Sequence, residues 1–553
     1  MNIRPLSTAL AVSPQIRPAD LRSIAAAGYK AIVCNRPDGE GADQPGFREI
    51  EMAAQAAGLP ARYLPVAPGQ LSDEQAAEFG RLLEELPKPV LAYCRSGMRS
   101  ASLWGLSRGA AMAPAEILAR AAEQGYDLGA LLRRISAPQR GAAPVDASHQ
   151  VVIVGAGAAG IAVAASLLAR DPGVDVAIID PSEVHYYQPG WTLVGAGVFE
   201  AAATVRATGA LIPRRARWIK SAVSHFEPEH DTLVLEGCRR VKYAHLVVCP
   251  GLKLDWGAIA GLEDTLGMNG VTSNYRYDLA PYTWELVRRF GGGTALFTQP
   301  PMPIKCAGAP QKAMYLSCDA WRRRGVLDQA EVRFESAGTA LFGVADYVPA
   351  LMAYVRAYGI RLEFGRRLVA VDGMRRIASF AVAAPGGERI EEVPFDLLHV
   401  VPPQVAPDFI RASPLADAAG WVDVDQATLR SERYPNVYAL GDVANTPNAK
   451  TAAAARKQAP VVAHNLLHAL GKTAGEARYD GYGSCPLTVE RGKVVLAEFT
   501  YGGTLSPSFP SWLLDGRQPS RLAWLLKERI LPPLYWQGML KGHEWLARPE
   551  MAG

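Results

Sequence analysis

The chain has 553 residues, of which 49% are hydrophobic and 20% are charged, so it is long enough for several globular domains. A net charge of +4 over this length does not favour nucleic-acid binding. No apolar run is long enough to predict a membrane-spanning helix, and the start of the chain lacks an apolar signal region, so we expect a cytoplasmic protein. The seven cysteines are scattered and contain no CxxC pair, which excludes a disulfide framework and disfavours a metal site: Cys34, Cys94, Cys238, Cys249, Cys306, Cys318 and Cys485.

A cysteine-containing loop is the main feature of the N-terminal part. The apolar strand Val90–Tyr93 runs directly into Cys94, and a helix is predicted over residues 101–109. A loop of this kind forms a nest of backbone N–H groups, and the helix dipole and a nearby arginine favour the ionised thiol, so Cys94 is predicted to be a nucleophilic thiolate. Arg99 can hold an oxyanion with two parallel hydrogen bonds. The alternative is a buried Cys94 with a purely structural role and Arg99 as a surface charge.

Residues 1–112 resemble the phosphatase-like domain of the beta-lactamase-hydrolase-like family, which is also described as sulfurtransferase-like. The resemblance rests on residues 35–40 (NRPDGE) and 94–100 (CRSGMRS). The loop has one residue fewer between its cysteine and its arginine than protein tyrosine phosphatases have, and a smaller pocket suits a persulfide better than a phosphate. The resemblance therefore favours sulfane-sulfur transfer over phosphatase chemistry, with Asp38 either a general acid or a turn residue.

The stretch that follows connects two larger regions. Residues 114–135 are predicted to form one or two helices, and residues 136–149 are rich in Ala, Pro, Ser and Gly. That composition predicts a flexible linker.

A dinucleotide-binding pattern begins at residue 151. An apolar strand leads into Gly155, Gly157 and Gly160, a helix of small residues follows, and a second apolar strand ends on Asp180. The glycines allow a tight turn, close approach of a pyrophosphate and close helix–strand packing, and Asp180 is placed to hold a ribose hydroxyl. The alternative is a glycine-rich turn without a ligand, which leaves Asp180 without a role. We predict strands at residues 151–154 and 176–179 and a helix at residues 161–169.

The bound dinucleotide is predicted to be FAD. A later strand, residues 294–298, is followed by the proline-rich segment 299–312 (QPPMPIKCAGAPQK), which is unsuited to a second diphosphate turn, so NAD(P)H is not expected as electron donor. Near residue 440 another strand ends in Gly441 and Asp442, where two-domain flavoproteins place an aspartate on the ribityl chain. The helix predicted over residues 451–470 can point its N-terminus at the flavin.

Residues 150–545 resemble sulfide:quinone oxidoreductases of the type that includes the mitochondrial enzyme. The resemblance implies FAD as cofactor, a quinone as electron acceptor, and sulfide with a small sulfur acceptor as substrates. It places Gln188, Pro189, Lys450 and Thr451 among the cofactor-binding residues. The matching stretches are residues 185–197, 305–312, 418–425, 434–442, 450–454, 479–482 and 484–487.

In this family sulfide attacks a cysteine disulfide or trisulfide beside the flavin. Cys306 matches the flavin-side cysteine, whereas the partner position, taken to follow directly after Gly-Asp, holds Val443 here. The resemblance therefore leaves open which thiol replaces the partner. Cys249 and a persulfide-carrying Cys94 are candidates, and Cys318 is a poor one because twelve residues of helix span about 18 Å.

The C-terminal end is rich in Trp, Leu and Tyr. Residues 511–514 and 521–546 combine these apolar groups with basic residues, and Pro532–Pro533 are predicted to separate two short helices. Segments of this kind suit a membrane interface, where a quinone can enter. The alternative is that they cover the core or the interface of a homodimer.

The predicted fold class is α/β. An N-terminal phosphatase-like α/β domain (1–112), a helical segment and linker (113–149), a two-Rossmann-type FAD body like that of disulfide reductases (150–475) and C-terminal amphipathic helices (476–553) follow one another. The leading hypothesis is a quinone-linked sulfide oxidase, peripheral to the inner membrane on the cytoplasmic side, with sulfur handling at Cys94. One rival is a thiol or persulfide oxidoreductase that uses Cys306 alone. The other is a sulfurtransferase or phosphatase at Cys94 joined to an inactive, sulfur-sensing flavin body.

Overall fold

The computed structural model describes residues 3–41, 44–67, 71–109, 112, 114–131, 145–385 and 387–551. The chain divides into two compact units, one made of residues 1–148, 222–242 and 412–414 and the other of residues 149–221, 243–411 and 415–553. Most of the predicted linker, residues 136–144, lies outside the described residues. The domain boundaries at residues 112, 149 and 475 stay predictions.

The first unit is built on a five-stranded sheet with the order β1–β2–β5–β3–β4. Strands β2, β5, β3 and β4 run parallel and β1 pairs antiparallel with β2. Strands β2, β3 and β5 are short, apolar and fully buried, as expected for central strands covered on both faces. The strands are β1 (Arg4–Ser7), β2 (Leu10–Ser13), β3 (Ala31–Cys34), β4 (Ala61–Tyr63) and β5 (Val90–Tyr93).

Helices surround this sheet, and the predicted succession of a strand, Cys94 and a helix is confirmed. The helix after Cys94 begins at Met98, three residues before the predicted start. The helices are α1 (Leu21–Ala26), α2 (Phe47–Ala56), α3 (Asp73–Glu85), α4 (Met98–Arg108) and α5 (Pro114–Glu123). Residues 222–242 add an antiparallel hairpin, Val223–Glu227 and Thr232–Leu235.

The second unit contains two parallel sheets, as the two-Rossmann prediction requires. In the first sheet, β7 pairs in parallel with β8 and β6, and β9 pairs in parallel with β14. In the second sheet, β10 pairs in parallel with β11 and β13, and β11 with β12. These strands are β6 (Ala147–Val154), β7 (Val176–Ile179), β8 (Arg217–Ile219), β9 (Arg240–Val248), β10 (Gly293–Gln299), β11 (Ala330–Ser336), β12 (Arg361–Phe364), β13 (Leu397–His399) and β14 (Val437–Ala439).

The main helices of this unit flank the two sheets, and an antiparallel three-stranded sheet (Arg366–Asp372, Ile377–Ala384, Gly387–Pro394) stands beside them. The helices are α6 (Ala158–Arg170), α7 (Leu279–Arg289), α8 (Ala309–Arg324), α9 (Val348–Ala357), α10 (Ala452–Ala469) and α11 (Arg521–Leu525). Small residues on α6 and α10 pack in one apolar core with β6 and β7.

A two-stranded antiparallel ribbon follows α10. It consists of β15 (Gly483–Glu490) and β16 (Lys493–Phe499), with Ser484 opposite Glu498, Cys485 opposite Ala497 and Pro486 opposite Leu496. Because side chains alternate along a strand, Cys485 lies on one face of the ribbon, and Ser484, Pro486, Leu496 and Glu498 lie on the other.

The C-terminal helices differ from the prediction. Pro532 and Pro533 do not separate two helices: α11 continues through the π-type turn Leu526–Ile530, the helical residues Leu531–Pro533 and a second π-type turn, Leu534–Gly538. A proline removes one helical hydrogen bond and crowds the preceding turn, and a widened π turn relieves both effects. The prediction treated both prolines as helix breakers and was wrong for this reason. No helix in the described part of the chain has the length and apolar character needed to cross a bilayer.

Candidate active site

The predicted dinucleotide cradle forms at the end of β6. Gly155 has φ of 109°, and a Cβ there would lie 2.5 Å from the carbonyl oxygen of Cys249. A Cβ on Gly160 would lie 1.9 Å from the Gly155 carbonyl oxygen, so only glycine permits this packing. Gly157, by contrast, has no atom within 4 Å of such a Cβ, and it caps the N-terminus of α6 beside an open cavity. The space at Gly157 is where a diphosphate can approach the backbone.

Asp180 stands at the rim of the same cavity, directly after β7. Its carboxylate accepts hydrogen bonds from the backbone N–H groups of Ala156 (2.6 Å) and Ser182 (2.7 Å). These bonds fix the carboxylate beside the glycine turn.

A second turn completes the cavity at the end of β14. Gly441 has φ of 74°, and Asp442 is buried in the cavity wall, where burial raises the pKa of its carboxyl group. The Lys450 ammonium donates to the backbone carbonyl oxygens of Asp442 (2.8 Å) and Ala444 (2.7 Å) and so holds this turn in place. Thr451 caps α10 by accepting a hydrogen bond from the Ala454 N–H.

Gln188 and Pro189 line the cavity from the opposite segment. Gln188 Oε1 accepts a hydrogen bond of 2.6 Å from Lys305 Nζ, and the Lys305 ammonium also lies 5.6 Å and 5.5 Å from the ring centres of Trp191 and Tyr275. Burial lowers the pKa of Lys305 to about 8.

These residues fit FAD. They line one continuous cavity of about 460 Å³, in which an open glycine turn, a rim carboxylate and two helix N-termini face the same space. Two buried side chains in its wall, Trp191 and Asn274, have polar atoms without a hydrogen-bond partner among the described residues. Such atoms are suited to bind a large polar ligand.

The sulfur chemistry is centred on Cys306 and Cys485, whose Sγ atoms lie 3.3 Å apart. We call these two residues the sulfur pair. Cys306 has φ of 51°, a strained conformation for a non-glycine residue, and its N–H donates to the Lys450 carbonyl oxygen at 2.8 Å. This bond joins the Cys306 segment to the Asp442 turn.

Gly308 allows the two cysteines to approach each other. A Cβ at that position would lie 2.3 Å from a methyl carbon of Leu487 and 2.7 Å from Cys485 Sγ. Any larger residue would therefore push β15 away from the segment that carries Cys306.

Buried charges favour one thiolate in the sulfur pair. The hydrogen bond from Cys485 and the Lys312 ammonium, whose Nζ lies 3.0 Å from Cys306 Sγ, hold the pKa of Cys306 well below its ordinary value. The hydrogen bond to Cys306 and burial raise the pKa of Cys485. Burial, together with the charge of Lys312, lowers the pKa of the nearby Lys527 to about 7. The position of Lys312 therefore favours the thiolate at Cys306 and the protonated thiol at Cys485.

The sequence interpretation missed Cys485. It looked for the partner thiol at position 443, but Val443 is a buried residue in the turn after β14. The candidate Cys249 has its thiol directed at the Gly155 carbonyl oxygen (3.7 Å), behind the glycine turn. The available signal was the SCPL stretch at residues 484–487, a matching segment that contains a cysteine.

The first unit holds the Cys94 loop, residues 94–100. The Gly97 N–H donates to Cys94 Sγ (3.1 Å), as expected for a nest at the start of α4. Arg99 donates to the Val66 carbonyl oxygen (2.6 Å) and to the Glu40 carboxylate (2.8 Å), and the same carboxylate accepts from Arg36 (2.6 Å). The sequence interpretation missed this role of Glu40.

Asp38 has a local structural contact in this unit. Its carboxylate is exposed and accepts a hydrogen bond of 2.8 Å from the N–H of Phe47, the first residue of α2. This contact satisfies a free helix donor, as the turn alternative expects, and the role of Asp38 as a general acid stays a prediction.

Two regions of the chain match known protein families. Residues 2–113 match the family model described as beta-lactamase hydrolase-like protein, phosphatase-like domain, and residues 149–293 match that of pyridine nucleotide-disulphide oxidoreductases.

The second part has close relatives. The mitochondrial sulfide:quinone oxidoreductase of Dictyostelium discoideum is 41% identical over 404 residues, which cover 72% of this chain and 87% of that protein. The mitochondrial enzyme of Mus musculus is 38% identical over 395 residues, covering 71% and 87%. The structure of the sulfide:quinone oxidoreductase from Aquifex aeolicus shares the fold, with a TM-score of 0.60 at 16% identity over 72% of this chain and 92% of that chain. The chain therefore belongs to the sulfide:quinone oxidoreductase family.

Proposed function

We propose that this protein oxidises sulfide to sulfane sulfur at the sulfur pair and passes two electrons through FAD to a quinone. The observation that carries the proposal is the 3.3 Å separation of Cys306 Sγ and Cys485 Sγ at the wall of a cavity that fits FAD. Two sulfurs this close can form a disulfide with little movement of the backbone. The rival in which Cys306 acts alone does not account for Cys485.

The electrostatics of the pair decide which sulfur is attacked. The thiol with the lower pKa is the better leaving group in thiol–disulfide exchange, and in this pair that thiol is Cys306. Hydrosulfide therefore attacks Cys485 Sγ of the disulfide, the S–S bond breaks, Cys306 leaves as a thiolate beside Lys312, and Cys485 keeps the new sulfur as a persulfide.

Transfer of the outer sulfur to a small nucleophilic acceptor returns Cys485 as a thiolate. Loss of two electrons from the two thiolates then restores the disulfide. FAD supplies the chemistry that accepts these two electrons and delivers them to the quinone. The glycine turn and the N-terminus of α6 would hold its diphosphate, Asp180 a ribose, and Asp442 with the N-terminus of α10 the flavin end.

The test is an anaerobic titration of the purified protein with sulfide, followed through the flavin absorbance. We expect the flavin to bleach and to regain its absorbance when decylubiquinone is added. A flavin that stays oxidised in excess sulfide would contradict the proposal.

We propose a sulfurtransferase role for the Cys94 loop. The Glu40 carboxylate offsets one of the two positive charges of Arg36 and Arg99, which weakens the attraction of the loop for a phosphate dianion. In the assayed reaction the Cys94 thiolate attacks the sulfane sulfur of thiosulfate, sulfite leaves, and cyanide then takes the sulfur from the Cys94 persulfide.

The full-length protein should therefore transfer sulfur from thiosulfate to cyanide, and Cys94→Ser should abolish the transfer. Hydrolysis of p-nitrophenyl phosphate that is lost in the same variant would identify a phosphatase instead.

We also propose that the C-terminal helices dock on the cytoplasmic face of a membrane. Apolar side chains in residues 512–530 are exposed, with Trp512, in a turn before α11, exposed by 83%, and Arg521 and Arg529 lie in the same range. Exposed apolar groups with adjacent cations are typical of interfacial binding. The other exposed apolar residues are Leu513, Leu522, Leu525 and Ile530.

Co-sedimentation with vesicles tests this membrane proposal. Binding to vesicles that contain anionic lipid should weaken by about tenfold in Trp512→Ser, because apolar area buried in the interface is lost. Unchanged binding, together with a dimeric mass in solution, would favour the homodimer alternative.

A further inference from the structure

Part of the cavity wall combines apolar side chains with a small polar network, and the Arg456 guanidinium, which also lines the cavity, interacts electrostatically with that network. Tyr482 and Ser508 both donate to Glu498 Oε1 at 2.5 Å, and the Ser508 N–H donates to Glu498 Oε2 at 3.1 Å. The surrounding cavity wall is formed by Pro486, Leu496, Phe509, Leu531, Leu534 and Met539. A lipophilic ring that carries oxygen atoms suits such a wall, because an apolar pocket with a few fixed polar groups orients its ligand through them.

The network is separated from the sulfur pair by the ribbon. Glu498 projects from the face of β16 that also carries Leu496, whereas Cys485 projects from the opposite face of β15. Cys485 lies in the apolar core with α8, while Glu498 lines the cavity. The ribbon thus presents sulfur chemistry on one face and a hydrogen-bonding group on the other.

The three side chains lead from solvent into the cavity. Ser508 is exposed, whereas Glu498 and Tyr482 are exposed by only 5% and 7%. The Glu498 backbone is fixed by Tyr347, whose hydroxyl donates to the Glu498 carbonyl oxygen and accepts from its N–H, both at 3.0 Å. A proton can therefore pass from solvent through Ser508 and Glu498 to Tyr482 by short hydrogen bonds between fixed groups.

We propose that the Tyr482 hydroxyl, whose O–H donates to Glu498 in this structure, rotates that O–H to the quinone oxygen and then gives up the proton, with Glu498 and Ser508 replacing the proton from solvent. The inference rests on the proposed function and identifies the source of a proton that reduction of the quinone requires. Reduction of a quinone to a quinol takes two electrons and two protons. FAD, when bound and reduced, would supply both electrons and one proton. Tyr482 supplies the second proton, and its phenolate is reprotonated through Glu498.

The experiment compares two oxidants on protein whose flavin has been reduced photochemically, so that sulfide is not required. Decylubiquinone takes up protons and ferricyanide does not. In Tyr482→Phe and Glu498→Gln we expect reoxidation by decylubiquinone to slow by about 100-fold, the usual scale of general acid catalysis, and reoxidation by ferricyanide to stay within about twofold. The solvent deuterium isotope effect on quinone reoxidation should also rise in both variants.

Binding gives a readout independent of turnover. Quenching of tryptophan fluorescence by decylubiquinone should show about fivefold weaker binding to oxidised Tyr482→Phe, because one hydrogen bond is lost. The matched control is Tyr358→Phe, which removes a buried hydroxyl that donates to the Val489 carbonyl oxygen (3.0 Å) and does not line the cavity.

Several outcomes would overturn the inference. Unchanged quinone reoxidation in both variants would do so, as would equal slowing with ferricyanide, which would indicate damage at the flavin. A parent protein that decylubiquinone does not reoxidise would also overturn it. If sulfide fails to reduce the flavin while decylubiquinone still reoxidises the photoreduced parent, only the sulfide step of the proposed function fails.

Discussion

The sulfur pair and the Cys94 loop control a reactive cysteine in different ways. Other side chains favour the thiolate of Cys306: Cys485 Sγ lies 3.3 Å away, and the Lys312 ammonium lies 3.0 Å away and lowers the pKa of Cys306. Cys94 receives a backbone N–H from Gly97 in a loop whose arginine is already matched by Glu40. The first arrangement brings two sulfurs together and can store two electrons as a disulfide, whereas the second is a cradle for one sulfur. The contrast indicates that the group beside a cysteine sets the class of its chemistry.

Removing the second sulfur should produce the largest effect. In Cys485→Ser the disulfide cannot form, so we expect the rate of flavin reduction by sulfide to fall by at least about 1,000-fold, the scale of losing a nucleophile. Anaerobic stopped-flow spectroscopy measures this rate.

Cys249→Ser is the matched control, because it removes another buried thiol, which lies behind the glycine turn. Equal losses of the flavin reduction rate in the two variants would make Cys249 a candidate partner of Cys306 again.

The charge beside Cys306 can be tested without removing a sulfur. In Lys312→Met the pKa of Cys306 should rise toward its ordinary value, so its thiolate fraction falls at neutral pH. We expect flavin reduction to slow by about 30-fold at pH 7, consistent with the shift that a neighbouring charge produces, and to recover as the pH is raised toward 9. The pH profile of the stopped-flow rate shows this directly.

Lys253→Met removes a half-exposed lysine paired with Asp408 and should leave the profile unchanged. A Lys312→Met profile that is lower at every pH by the same factor would mean that Lys312 positions the sulfur pair instead of ionising it.

The Cys94 loop can be made more positive by removing a carboxylate, whereas Lys312→Met removes a positive charge beside Cys306. In Glu40→Gln the guanidinium groups of Arg36 and Arg99 lose their shared carboxylate, and the loop becomes more positive. We expect phosphate to inhibit thiosulfate:cyanide transfer about tenfold more strongly, because charge-assisted bonds to an oxyanion replace the lost ones. The inhibition constant measures the effect, and Glu116→Gln, which breaks an exposed ion pair with Arg120, is the control. An unchanged constant would refute the neutralising role of Glu40.

Local features were predictable from sequence, and long-range ones were not. The glycine cradle and Asp180 lie within one strand–turn–helix–strand unit, where spacing alone fixes the geometry. Cys306 and Cys485 are 179 positions apart, and only the folding of β15 against Gly308 brings them together. The resemblance to the family predicted the partner thiol at position 443, because the partner was taken to follow directly after Gly-Asp.

The C-terminal prolines illustrate a second limit. Proline patterns predict a helix end, yet π-type turns on both sides of Pro532 and Pro533 keep the segment helical. The apolar and basic residues of the segment do not predict these widened turns. The side-chain pairing of Glu40 likewise depends on contacts between residues 36, 40 and 99, which no single motif contains.

The smallest predicted effect is that of a substitution at Asp38, which distinguishes a structural role of this residue from a catalytic one. Asp38→Ala removes the acceptor for the Phe47 N–H, so the free energy of unfolding should fall by about 1 kcal/mol, as for the loss of a helix-capping contact. Because the carboxylate is exposed and engaged with α2, sulfur transfer from thiosulfate to cyanide should stay within about twofold, whereas loss of a general acid would cost about 100-fold or more. Urea denaturation and the transfer assay on the same preparation measure both quantities. A large loss of transfer at unchanged stability would identify Asp38 as a general acid. The Cys94 loop would then rely on a carboxyl group as proton donor, a role that the Cys485 thiol has in the sulfur pair.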